Sequence, residues 1–103
     1  MGEQKFVDLE IEDAVQELIS KGLIKRRDKI YCVLGNVTGN KEELTKWVLF
    51  YVIKENKPYR IIGPIPINLD KHVGSFGEGV VGKLNHKLKE VTGKNYHLRC
   101  VWL

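Results

Sequence analysis

The sequence predicts one α+β domain with the element order α-β-β-β-α-β, a mainly antiparallel sheet packed with two helices. Three observations carry this. Apolar residues recur at helical spacing in an early and a late segment, whereas the middle of the chain is β-branched and aromatic without that period. The last residues, YHLRCVWL, alternate apolar and polar as a half-buried strand does. And 103 residues make one core but are too few for two.

Leu9, Ala14, Val15, Leu18 and Ile19 fall near helical spacing, with Glu10, Glu12, Asp13 and Glu17 placed early, where acids suit the positive end of a helix dipole. Gly22 ends that helix, and KRRDK returns the chain through solvent. Residues Ile30 to Leu34 (IYCVL) read as a strand, followed by a turn region at GNVTGN. Asn40 followed by Glu43 resembles a capping box, which predicts one helical turn at residues 41–45. WVLFYVI, residues 47–53, has no polar side and reads as a central strand. A tight connection at residues 55–58 leads to YRIIGPIPINL, whose Pro64 and Pro66 cannot donate to a ladder and so belong at a sheet edge. From Gly79 onward Val80, Val81, Leu84, Leu88 and Val91 define a second helix, capped by Gly93. A central strand apolar on both sides needs cover on both. Either each face takes a helix, or both helices share one face and a second copy of the chain covers the other as a homodimer.

Charge is distributed unevenly. Residues 1–20 carry a net −5 and residues 21–103 a net +9, within a total of +4. A basic body steers anionic partners toward it. No apolar run reaches the roughly 20 residues of a membrane-spanning helix, and the acidic start lacks a signal-peptide layout. The expectation is a cytoplasmic protein without a membrane partner. Cys32 and Cys100 sit in apolar strand segments and read as buried free thiols.

The segment GSFGEGVVGK, residues 74–83, has the spacing of a phosphate-binding P-loop, but Leu84 stands where a Ser or Thr would hold magnesium. What it retains is a generic capacity: glycines let backbone amides approach an anion at a helix start. The α-β-β-β-α portion resembles double-stranded-RNA-binding domains in topology, with GEGVVGK where their second helix begins with lysines. The full order resembles nuclease cores of the restriction-endonuclease type. Those hold a metal with carboxylates at strand ends, and residues 47–54 and 58–68 contain no acid. His72, His86 and His97 are dispersed, and no nucleophile has a base fixed beside it.

The sequence therefore leads to a non-enzymatic nucleic-acid-binding domain, without metal or cofactor, that grips backbone phosphates. Its expected contacts are Lys25, Arg26 and Arg27 in one cluster, and Gly74, Gly77, Gly79, Lys83, His86, Lys87 and Lys89 in another. Tyr31, Tyr59 and Tyr96 lie near enough to strand ends to stack a base. The alternative is a self-associating protein-interaction or regulatory subunit that touches no nucleic acid.

Overall fold

Alternation of burial along the two middle strands locates the core. In β1 (Lys29–Asn36) Ile30 and Cys32 are buried, and in β2 (Thr45–Lys54) so are Val48, Phe50 and Val52. The residues between them, Tyr31, Val33, Leu49 and Tyr51, are only half-buried. Among the described residues, one sheet face is thus closed and the other open. The computed structural model from which this is read describes residues 2–36, 45–68 and 73–103. The helical turn expected at 41–45 falls almost wholly outside them, and Thr45 already belongs to β2.

The closed face is covered by both helices. Helix α1 (Gly2–Ser20) buries Val7, Ile11, Ala14, Val15 and Leu18, a stripe at the helical period. Helix α2 (Val73–Thr92) buries Val80, Val81, Leu84 and Leu88. Together with Ile62 and Ile65 of β3 (Lys57–Asn68) these form one continuous core. Two expected stripe residues of α1, Leu9 and Ile19, point outward instead, as does Val91 of α2. Val7 and Ile11 take their places because the true stripe starts earlier and runs through Ala14 and Leu18. The smallest dimension of the molecule, 19 Å, suits two layers, not three.

The order is α-β-β-β-α-β, as the sequence predicts, in a single α+β fold. The sheet runs β3-β2-β1-β4, where β4 is Arg99–Trp102. The first three strands form an antiparallel meander, and β4 pairs parallel to β1. Strand β2 is central, and the proline-bearing β3 forms an edge, both as its sequence requires. Glu55 and Asn56 turn the β2–β3 hairpin, each with positive φ as a two-residue primed turn demands. Helix α1 ends in a Schellman motif. Gly22 has φ 64°, its N–H donates to Ile19 O, and Leu23 N–H donates to Leu18 O.

The glycine segment is a correction. Gly74, Gly77 and Gly79 do not form a loop, because α2 begins at Val73 and contains all of them. Glycine disfavours helix by about 1 kcal/mol per residue, so tertiary packing has overridden propensity. Gly77 explains the choice. A Cβ there would lie 2.5 Å from Trp102 Cζ2 and 3.0 Å from Cys100 Sγ, so the bare backbone lets α2 seat directly on β4. Cys100 Sγ in turn lies 3.0 Å from Cys32 Sγ on the neighbouring strand. Burial pushes both thiols above the ordinary range, with contact between the two adding to the effect at Cys32.

Two outcomes follow. Gly77→Ala lowers stability in urea or thermal unfolding, whereas Gly79→Ala and Gly82→Ala, where an added Cβ meets nothing within 4 Å, raise it by about 1 kcal/mol each. Cys32 resists alkylation at neutral pH in the native protein and reacts once urea unfolds it, as mass spectrometry of timed samples records.

Candidate nucleic-acid interface

Between α1 and β1 the chain makes a tight turn with Arg26 and Arg27 at its tip. Asp28 N–H donates to Lys25 O at 3.3 Å, and Lys25 N–H donates to Asp28 Oδ2 at 2.7 Å. The same Asp28 oxygen accepts from Lys54 Nζ at the end of β2, so this carboxylate is occupied by one strand-end lysine. The turn is then zipped to the chain entering β4. His97 N–H donates to Arg26 O at 2.7 Å, and Arg99 N–H to Asp28 O at 3.2 Å. Lys29 and Arg99 are register partners across the β1–β4 ladder.

Asn85 of α2 holds the approach to β4 in place. Its side-chain amide accepts from Leu98 N–H at 2.9 Å and donates to Leu98 O at 3.2 Å, imitating a rung of sheet. In this way residues some 70 apart in sequence meet at one end of the sheet. Arg27, His97 and Arg99 line a recess of about 520 Å³. A second, of about 250 Å³, shares Arg27 and continues past Lys29 to Tyr31 on the open face. Among the described residues no ion pair engages Arg26, Arg27, Lys29 or Arg99.

The cluster expected on the second helix has a different electrostatic setting. Because α1 and α2 lie side by side, Lys83 Nζ meets Asp8 Oδ1 at 2.9 Å and Lys87 Nζ meets Glu12 Oε1 at 3.5 Å. Lys87 also reaches Glu90, as His86 does when protonated. These pairs are exposed and each contributes roughly 0–1 kcal/mol, yet they cancel the local field that an anion would feel. Gly79, Gly82, Lys83, His86 and Lys87 do share a groove, but Asp8 and Glu12 form its other wall. Lys89 lies in the last turn of α2, where a cation suits the helix dipole. Of the expected glycines, Gly77 is sealed under Trp102, and Gly74 and Gly79 are held in a helix. On α1 the Lys21 ammonium beside Glu17 holds its carboxyl below the usual range.

Residues that sequence reading passed over as phosphate contacts are His97 and Arg99, whereas Lys29 closes the basic run that begins at Lys21. Their signal existed, since Lys29 and Arg99 each precede an apolar strand core, but strand order is needed to bring them together. The tyrosines also sort differently. Tyr31 and Tyr51 stack across β1 and β2 with ring centroids 5.6 Å apart and planes at 24°, on the open face. Tyr96 packs against the core and Tyr59 is exposed on edge strand β3. Comparison with known proteins finds no matching family model, no similar curated protein and no similar solved structure. Among the described residues no helix is long and apolar enough to cross a membrane.

Asp28 is the keystone of this end. Asp28→Ala releases the turn and leaves a largely buried lysine unpaired, at a cost of about 1–3 kcal/mol in urea unfolding. Asp28→Asn, which keeps the acceptor for Lys25 N–H, recovers part of the loss.

Proposed function

We propose that the protein is a nucleic-acid-binding domain that holds backbone phosphates at the basic end of its sheet. The observation that carries this reading is convergence: Arg26, Arg27 and Lys29 from one side and His97 and Arg99 from the other, with the nearest carboxylate, Asp28, engaged by Lys54. Guanidinium groups suit phosphate because they offer several donors in a planar fork. This reading assigns the Lys25–Arg27 cluster the role that the sequence suggests for it. Lys83, His86, Lys87 and Lys89, with Gly74, Gly77 and Gly79, are peripheral in this reading, because acids on α1 face the first of them and the glycines lie within a helix.

A second reading is favoured by one observation. The sheet face away from the helices exposes Ile53 and Leu103 around half-buried Val33, Leu49 and Val101, a surface that suits self-association. In that case the protein is an interaction subunit and its cations serve solubility or an acidic partner.

Anisotropy titration of a labelled oligonucleotide separates the two. If about four phosphates are held, affinity falls roughly 50- to 150-fold between 50 and 200 mM salt. Arg27→Ala and Arg99→Ala each reduce the log–log salt slope by about 1, whereas Lys83→Ala and Lys87→Ala leave it nearly unchanged. Absence of binding at 50 mM salt, with a doubled mass in light scattering, defeats the first reading in favour of the second.

A further inference from the structure

We infer that the ligand is single-stranded nucleic acid, with its bases laid on the open sheet face against the Tyr31–Tyr51 pair. This rests on the phosphate-binding reading above and adds the strandedness of the ligand and the place of its bases.

The helix side of the molecule offers a polyanion little. Asp8, Glu12 and Glu17 stand exposed along α1 and pair with Lys83, Lys87 and Lys21, so the cations on that side are already engaged by carboxylates. The basic end opens the other way. Lys29 and Tyr31 alternate to the same side of β1, as do Arg99 and Val101 of β4, so both cations emerge beside the aromatic face. The recess that Arg27 shares with Tyr31 joins the two chemistries without a gap.

The face itself selects the form of the ligand. In register, Val101, Tyr31 and Tyr51 make one row across three strands, and Val33 and Leu49 make the next. A duplex presents phosphates and polar groove edges to any surface, and hydrophobic rows give it little in return. Unpaired bases present π faces, which tyrosine and valine cover well. Charge at one end with a stacking floor beside it is the arrangement by which single strands are held without sequence preference. Leu49 and Tyr51 belong to the central strand, so the floor is rigid.

The test compares a labelled 12-nucleotide single strand of thymidines with a hairpin duplex of matched charge at 50 mM salt. The single strand binds at least tenfold tighter. Tyr51→Ala weakens it by about 5- to 150-fold, the range for one stacked base, and leaves the salt slope intact. Tyr51→Phe stays near wild type. Should Tyr51→Ala fold poorly, upfield shifts of the wild-type Tyr31 and Tyr51 ring protons on adding the single strand, and none on adding the hairpin, supply the same readout. Equal affinity for strand and hairpin, with the slope still sensitive to Arg27→Ala, overturns this inference while the phosphate-binding reading survives. Binding of neither at 50 mM salt overturns both. A dimer in light scattering that Tyr51→Ala dissolves assigns the face to a second copy and overturns the inference.

Discussion

The seat of α2 on β4, across the bare backbone of Gly77, is the contact from which the rest of the architecture follows. Trp102 and Cys100 occupy the space that a side chain at 77 would need. With α2 so close, Asn85 reaches the backbone of Leu98 and fixes the entry to β4. Strand β4 then lies parallel to β1, and Arg99 arrives opposite Lys29. The same seat places α2 beside α1, so that Lys83 and Lys87 face Asp8 and Glu12. One packing decision therefore neutralises one set of cations and assembles another.

That decision also makes the molecule asymmetric. Both helices draw on the same alternating set of strand residues, so the core is complete with one face of the sheet. Among the described residues, side chains on the opposite face cover one another across strands, and the Tyr31–Tyr51 stack is the clearest example. In the proposed function, the basic end of the sheet would draw an anionic partner to the open face, away from the acids of α1.

Local chemistry made much of the fold legible in the sequence. Gly22 and Gly93 stop the helices, with φ of 64° and 75°, because few other residues adopt that conformation. Pro64 and Pro66 sent their strand to an edge, and the uninterrupted apolar run 47–53 placed its strand centrally. The glycine-rich start of α2 was not legible, since its helical state is decided by what Gly77 packs against and not by propensity. The basic end was half legible. Lys25, Arg26 and Arg27 stand together in sequence, but His97 and Arg99 join them through a parallel pairing that nothing local encodes. The opposition of α1 acids to α2 lysines was hidden for the same reason, although the charge asymmetry hinted at it.

The most direct test of this account is amide chemical-shift mapping of the isotope-labelled protein during titration with a thymidine single strand. Shifts confined to Arg27, Lys29, Tyr31, Tyr51 and Arg99, with α1 and the exposed side of α2 unmoved, are the predicted result. A pattern centred on Lys83, His86 and Lys87 would contradict the account, because it would place the ligand on the side where the acids of α1 stand.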